Sequence, residues 1–241
     1  MILNNEQLRT LHTNISGGPL TTASIVIFGN ELGTAETGDP ESTVLKLIDD
    51  WDNHRPIGVL PQNSAFLQFI ARFALSVHYK DAQFCGQMIN IKPYIKDYIS
   101  NHLYKTTTAI INLRPLPQMS ENHWHYENID KKDYYKHYNF CLLKPSHDTW
   151  SNLRVSVLKS GFESINPNAL ILGAGDKNNK RAFFKLIFLD IIFETIKLNE
   201  IEIYVCKSKR IILSNYFDYR SGIKLQGLQS IYYYAKEEKL I

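Results

Sequence analysis

Four short runs of aliphatic residues constrain the fold of this chain more than any other feature. They lie at 23–28, 107–113, 168–174 and 210–214. Because they are nearly continuous instead of alternating with polar residues, they are typical of strands buried on both faces. Apolar residues with helical spacing occur at 41–51, 64–78, 147–160, 178–197 and 222–236. Strands alternating with helices predict a three-layer α/β/α fold with a mostly parallel, four-stranded central sheet.

We expect a single domain over residues 1–241, since no internal repeat or low-complexity linker interrupts the sequence. The least regular segment is 115–146, which is rich in His, Tyr and charged residues and follows the second run. A long loop at such a place is often functional. Its aromatic side chains either form a lid over a binding pocket or pack onto the domain, and the sequence leaves both open. They are Trp124, Tyr126, Tyr134 and Tyr135.

Cysteine usage and hydropathy predict a soluble, cytoplasmic protein without a membrane partner. The three cysteines, Cys85, Cys141 and Cys206, are odd in number and far apart, which disfavours a disulfide framework. The N-terminus lacks the pattern of a signal peptide. The longest apolar window, 183–193, contains a lysine and an aspartate and is too short to span a bilayer. A net charge of +3 permits an anionic partner such as nucleic acid.

Candidate site residues follow the four runs, because open α/β sheets bind ligands at the carboxyl ends of their strands. These ends carry glycines, asparagines, a carboxylate and a hydroxyl, but no His, Cys or Lys. Such a set can orient water, recognise amide and carbonyl edges and stabilise positive charge, and it is poorly equipped for covalent acyl transfer. We expect no metal and no cofactor. The stretch HWHYE (123–127) fits a metal site only loosely.

Three stretches resemble the uracil-DNA glycosylase superfamily, and most closely its SMUG group, the single-strand-selective monofunctional uracil-DNA glycosylases. FGNELGTAETGDP (28–40) resembles the first motif of that group. IINLRPLP (110–117) and LILGAGDKNNKRAFFKL (170–186) are similar to two later motifs, in the same order. The resemblance covers roughly residues 24–230. It implies a uracil-DNA glycosylase-like fold that flips a nucleotide out of DNA and cleaves its N-glycosidic bond without a cofactor.

The resemblance also implies catalytic roles at the strand ends. Glu31, or Asn30 in an alternative register, would position the attacking water and stabilise the developing sugar cation. The last motif of the superfamily usually carries a histidine that stabilises the departing base. Here Ser214 or Asn215 stands in that place, and a donor there would bind the base oxygen as it gains charge.

The base-binding residues implied by the resemblance are Gly29, Gly33, Glu41 and Asn112. Asn112 aligns with the asparagine of that group that pairs with the extruded base, and its amide offers both a donor and an acceptor. Glu41 stands where the SMUG group carries a phenylalanine that stacks on uracil. The lost ring, the altered last motif and the long 115–146 loop favour a base other than plain uracil.

The predicted DNA contacts lie between 207 and 220. Tyr216, Phe217 and Tyr219 would wedge into the gap left by the flipped base, with Arg220 on a phosphate. Basic residues just before them add local positive charge. They are Lys207, Lys209 and Arg210.

The sequence therefore predicts a monofunctional DNA glycosylase acting on a modified pyrimidine. A Schiff-base lyase step is disfavoured because no lysine is expected at the strand ends. The favoured substrate is a hypermodified cytosine of phage DNA, such as glucosylated hydroxymethylcytosine, excised in antiviral defence. The alternatives are a repair glycosylase for uracil or oxidised pyrimidines, an inactive DNA-binding relative, and a nucleotide-binding α/β enzyme. DNA is the expected partner, and no obligate protein partner is implied.

Overall fold

The computed structural model describes residues 1–30, 39–52, 64–86, 90–117, 124–142, 148–217 and 222–241. In those ranges the strands are β1 (Ser16–Gly17), β2 (Ile25–Gly29), β3 (Thr108–Asn112), β4 (Leu170–Ala174), β5 (Glu194–Leu198), β6 (Ile201–Cys206) and β7 (Ile211–Ser214). The α-helices of the same ranges are α1 (Asn5–Thr13), α2 (Pro40–Asp52), α3 (Ala65–Tyr79), α4 (Lys92–Asn101), α5 (Lys131–His137), α6 (Thr149–Glu163), α7 (Lys177–Ile187) and α8 (Leu225–Glu237).

The four aliphatic runs form the parallel centre of the sheet, as the sequence predicts. The sheet order is β1-β3-β2-β4-β7-β6-β5. The four central strands, β3, β2, β4 and β7, run parallel to one another. The predicted total of four strands is wrong, because seven strands join the sheet within the described residues. β1 pairs antiparallel with β3, and the β5–β6 hairpin adds two antiparallel strands beside β7. The result is an α/β protein with helices flanking a central sheet.

The helix predicted over 178–197 is too long. α7 ends at Ile187, and the residues from Glu194 onward form β5. The residues of β5 are only partly covered, as expected of an edge strand, so they lack the buried apolar run that marks the central strands. Asn199 adopts a left-handed conformation (φ 53°) and turns the chain back into β6.

Other helix predictions are confirmed with small shifts at their ends. The segments 41–51, 64–78, 147–160 and 222–236 correspond to α2, α3, α6 and α8. Three helices were not predicted: α1, α4 and α5. The last of these lies inside 115–146, so that segment is less irregular than its composition indicates.

The sheet separates two hydrophobic cores. Side chains of β2 alternate between them, with Ile25 and Ile27 in one core and Val26 and Phe28 in the other. Residues of α3, α4 and α8 complete the first core, and residues of α1, α6 and α7 complete the second. Because strand side chains alternate between faces, this arrangement requires an apolar residue at every position of β2. The layering explains why the run is continuous in the sequence.

The three cysteines carry free thiols, with Cys85 and Cys206 buried and Cys141 exposed. None of the helices in the described residues is both long enough and apolar enough to cross a membrane.

Replacing Leu172, which is fully buried in β4, tests how far stability depends on the sheet core. We expect Leu172→Ala to lower the free energy of unfolding by about 2–5 kcal/mol, because the substitution leaves a cavity between strand and helices. The matched control is Leu189→Ala, since Leu189 is 95 % exposed; we expect a change within about 0.5 kcal/mol. Urea unfolding followed by circular dichroism measures both. Equal effects would contradict the assignment of the core.

Candidate functional site

The strand order places a crevice at the carboxyl ends of β2 and β4. From β2 the chain moves to β3 on one side, and later to β4 on the other side. In open α/β sheets the ligand lies where the strand order reverses in this way, since the two connections leave in opposite directions. β2 ends at Gly29 and β4 at Ala174, so Asn30 and Gly175 border the crevice.

Lys180 reaches these strand ends from α7, although it is distant from them in sequence. Its side chain is fully buried. The ammonium donates hydrogen bonds to Asn30 Oδ1, to the carbonyl oxygen of Ala174 at 2.9 Å and to that of Gly175. The expectation that no lysine lies at the strand ends is therefore wrong. The signal that could have revealed it is the position of Lys180 one turn into the helix that follows the β4 glycines.

Asn112 and Gly29 lie opposite each other at the ends of β3 and β2. Asn112 Oδ1 is buried and has no hydrogen-bond partner among the described residues. It lies so close to Gly29 Cα that a Cβ atom at position 29 would collide with it. A buried acceptor without a donor costs about 1–3 kcal/mol, so its presence requires an explanation. A ligand that donates a hydrogen bond at this edge supplies one.

Ser214 and Asn215, the two candidates for the histidine position, lie in different environments. Ser214 is fully buried, and its hydroxyl is 3.1 Å from the carbonyl oxygens of both Gly173 and Asn215. The side chain of Asn215 is exposed. Asn215 is consequently the better placed of the two to contact a ligand.

The two aromatic residues after β7, Tyr216 and Phe217, also differ in exposure. Tyr216 is 49 % exposed and stacks on Phe66, with ring centroids 5.1 Å apart and planes 9° apart. A Cβ atom at Gly175 would lie 3.4 Å from Tyr216 Cδ2, so this ring borders the crevice. Phe217 is fully buried and stacks on Phe69 in the core. The wedge role predicted for Phe217 does not fit, because its side chain is inaccessible to DNA.

The predicted basic residues lie at the amino-terminal end of β7, opposite the end that borders the candidate site. Lys207 and Lys209 precede β7, and Arg210 directly adjoins its first residue, whereas the candidate site lies beyond its last residue. Lys207 is also paired with Glu238 at 2.7 Å, and this hydrogen bond raises the pKa of Lys207. The structure therefore places these three cations at the start of β7, away from the crevice at its end, and their predicted contact with DNA stays a prediction.

Four of the predicted site residues, Glu31, Gly33, Tyr219 and Arg220, lie outside the described residues. Glu41 is exposed in the first turn of α2.

The aromatic side chains of 115–146 mostly pack onto the domain. Tyr126 and Tyr134 are buried, with hydrogen bonds from Tyr126 Oη to the Pro117 carbonyl and from the Leu116 N–H to Tyr134 Oη. Trp124 packs against both rings. These contacts favour packing over a lid for this part of the segment.

Arg114 connects the segment to the crevice. Its backbone N–H donates to the Asn30 carbonyl oxygen at 2.7 Å. Its guanidinium carbon lies 4.7 Å from the centre of the Tyr135 ring, within the range of a cation–π contact. A cation thus stands on an aromatic ring directly after β3, which sequence analysis did not identify.

A second buried cation, Arg154, fixes the end of β3. Its guanidinium donates to the carbonyl oxygens of Asn112, Asn14 and, at 3.1 Å, His12, and its Nε lies 3.4 Å from the Leu113 carbonyl oxygen. Burial lowers the pKa of Arg154 to about 10, so the side chain stays charged at neutral pH. Charge-assisted hydrogen bonds from Arg154 therefore hold the backbone carbonyl groups of Asn112 and Leu113.

A cavity of about 260 Å³ is lined by residues of α1, α5, the start of α6 and the segment before α5. His12 forms part of its wall, packs against Trp150 and donates from Nδ1 to the Leu8 carbonyl oxygen at 2.7 Å. Burial lowers the pKa of His12 to about 4. His12 is therefore neutral at physiological pH.

Across the described ranges, no group of three or more His, Cys, Asp or Glu side chains is arranged to hold a metal ion. Comparison of the chain with protein-family models finds no match, and neither does comparison with curated proteins or with solved structures.

Replacing Asn112 tests whether its unbonded amide oxygen lowers the stability of the folded protein. Leucine has nearly the same shape, so Asn112→Leu removes the unbonded acceptor without creating a cavity, and we expect the free energy of unfolding to stay equal or rise by about 1 kcal/mol. The matched control is Asn166→Leu. Asn166 donates to the Ala23 carbonyl and accepts from the Asn168 N–H, so its loss should destabilise by about 1–3 kcal/mol. Comparable destabilisation by both variants would contradict the interpretation.

His12 predicts a pH dependence of stability. Its pKa is lower in the folded state than the ordinary 6.5, so between about pH 6.5 and 4 the unfolded state binds more protons. The free energy of unfolding should therefore fall on acidification through that window, with His12 contributing about 2–3 kcal/mol. Urea titrations at pH 7.0 and 4.5 should show a correspondingly smaller loss in His12→Phe. Identical losses in both proteins would exclude His12 as the cause.

Proposed function

We propose that this protein is a DNA glycosylase that hydrolyses the N-glycosidic bond of a flipped-out, modified pyrimidine and leaves an abasic site. The observation that carries the proposal is the buried, unbonded acceptor Asn112 Oδ1 at the carboxyl ends of the strands, packed against Gly29, where any side chain would collide with it. A base taken out of the stack needs new partners for its hydrogen-bonding edge. An amide offers the donor and acceptor that a pyrimidine edge requires.

The reaction creates charge on both fragments. The C1′–N1 bond breaks and its electron pair stays on the base, a water oxygen bonds to C1′, and the proton lost by that water ends on the base. A carboxylate at Glu31, which follows Asn30 in the chain, would take this proton from the water and stabilise the sugar cation, and the proton would then pass to the base. Donors at the crevice would stabilise the negative charge on the departing base.

The buried lysine does not turn the proposal toward a lyase. A Schiff base requires a neutral, accessible amine. Lys180 is fully buried, and its ammonium is hydrogen-bonded to three oxygen acceptors. Hydrolysis without a covalent intermediate remains the proposed chemistry.

The substrate we favour is a hypermodified cytosine, such as the glucosylated hydroxymethylcytosine of phage DNA. Glu41 presents an exposed carboxylate at the start of α2 where the SMUG group carries a stacking ring. An exposed polar side chain suits a base with a hydroxylated substituent better than it suits plain uracil. The stacked pair of Phe66 and Tyr216 offers an alternative aromatic surface next to Gly175.

Alkali-revealed strand breakage by the purified protein tests the proposal. The substrates are uracil-containing DNA, unmodified DNA, and DNA with hydroxymethylated or glucosylated cytosine. We expect breaks in the modified-cytosine DNA, and a rate about 10²–10⁴-fold lower in Glu31→Gln because the general base is lost. Asn112→Leu should also lose activity, whereas Asn166→Leu should keep it when assayed below its melting temperature.

The other outcomes separate the alternatives. Breaks in uracil DNA alone would indicate a repair enzyme and overturn the proposed substrate. Binding of DNA with no abasic product on any substrate would overturn the proposed reaction and favour an inactive DNA-binding relative.

A further inference from the structure

The orientation of the Asn30 amide follows from its hydrogen bond to Lys180. An ammonium has three donors and no acceptor, so it is the amide oxygen of Asn30 that faces Lys180 Nζ. The amide nitrogen, Nδ2, must then point away from the lysine. Its position is defined by Gly175, where a Cβ atom would lie 3.0 Å from Nδ2.

Nδ2 faces the crevice at the reversal of strand order. Gly175 has a φ of +80°, a conformation that L-residues with side chains rarely adopt, and its missing side chain leaves Nδ2 and the Tyr216 ring lining the same space. Nδ2 has no acceptor among the described residues. Asn30 itself is half-buried. The site therefore presents an oriented N–H donor whose partner is to be supplied by a ligand.

This orientation gives Asn30 a donor role toward a ligand, because one lone pair of its amide oxygen is bonded to Lys180 and a neutral amide is too weak a base to take a proton from water. The N–H group, in contrast, is polarised by the ammonium on the other side of the amide, since hydrogen bonds in a chain strengthen one another in a low-dielectric interior. A polarised donor is suited to an oxygen that gains negative charge during the reaction.

We propose that Lys180 is a positioning residue, which holds Asn30 so that Nδ2 hydrogen-bonds the carbonyl oxygen of the departing base. This inference depends on the proposed glycosylase function and deepens it. The Lys180–Asn30 pair then performs the task of the histidine that the last motif lacks, and water activation is left to Glu31. The carbonyl O2 of a pyrimidine, next to the nitrogen that leaves the sugar, is the atom that gains charge.

A double-mutant cycle with single-turnover kinetics tests this role. The variants are Asn30→Ala, Lys180→Met and the double variant, assayed on the DNA that the wild type cleaves. We expect each single variant to lower the single-turnover rate about 10²-fold, with the Kd for DNA changed less than about threefold. The double variant should be no slower than Asn30→Ala, because Lys180 acts through Asn30. Effects of the two substitutions that multiply would overturn the inference, as would a full rate in Lys180→Met.

Asn30→Asp separates positioning from folding. A carboxylate still accepts from Lys180, so we expect a melting temperature equal to that of the wild type or higher, but it has no N–H for the base, so the rate should fall as in Asn30→Ala. Wild-type activity in this variant would overturn the inference. It also carries the test if Lys180→Met fails to fold.

Lys177→Met is the matched control. Lys177 lies on the same helix and is nearly buried, but its ammonium binds the Glu202 carbonyl and carboxylate at 2.8 and 2.9 Å, away from Asn30. Lys177→Met should keep the wild-type rate. A loss equal to that of Lys180→Met would mean that any buried charge on α7 matters and would overturn the specific role of Lys180.

The failure of this inference and the failure of the proposed function give different results. If the wild-type protein releases no base, the proposed function is overturned. If the wild-type protein is active but the effects of the two substitutions multiply, only the role of Lys180 is overturned.

Discussion

The central constraint on this structure is that β2 separates two hydrophobic cores. Successive side chains of the strand enter opposite cores, and both of its edges are hydrogen-bonded, to β3 on one side and to β4 on the other. A strand enclosed in this way cannot carry polar side chains before its last residue, because both of its faces are buried. Gly29 and Asn30 are the first positions where the chain can present polar groups, and the reversal of strand order places them at a crevice.

Two buried cations make that edge rigid. The carbonyl groups at the ends of β3 and β4 project beyond the ladder of the parallel sheet and need donors. Arg154 supplies them at β3, and Lys180 supplies them at β4. Burying a charge costs several kcal/mol unless every donor is used, so both cations stabilise one arrangement of the strand ends and penalise others.

Rigidity at this edge has a consequence for chemistry. Donors and acceptors that are fixed before a substrate binds need little reorganisation when charge develops. The side-chain amide of Asn30 is held in this way by its hydrogen bond to Lys180, and the backbone carbonyl of Asn112 is held by Arg154. The unbonded acceptor of Asn112 destabilises the folded protein, and a hydrogen-bond donor at this position would remove that cost.

The sequence by itself determined the parallel centre of the sheet, since doubly buried strands require uninterrupted apolar runs and only four segments carry them. It also identified Gly29, Asn30 and Asn112 as strand-end residues. It could not determine the edge strands, because β5 is partly exposed and β1 has only two residues, too few for a periodic signal. Nor could it separate Ser214 from Asn215, or Tyr216 from Phe217, because burial of adjacent residues depends on which helix packs over them. Only the tertiary structure brought Lys180 to Asn30, a contact between residues 150 positions apart that depends on how α7 packs against the sheet.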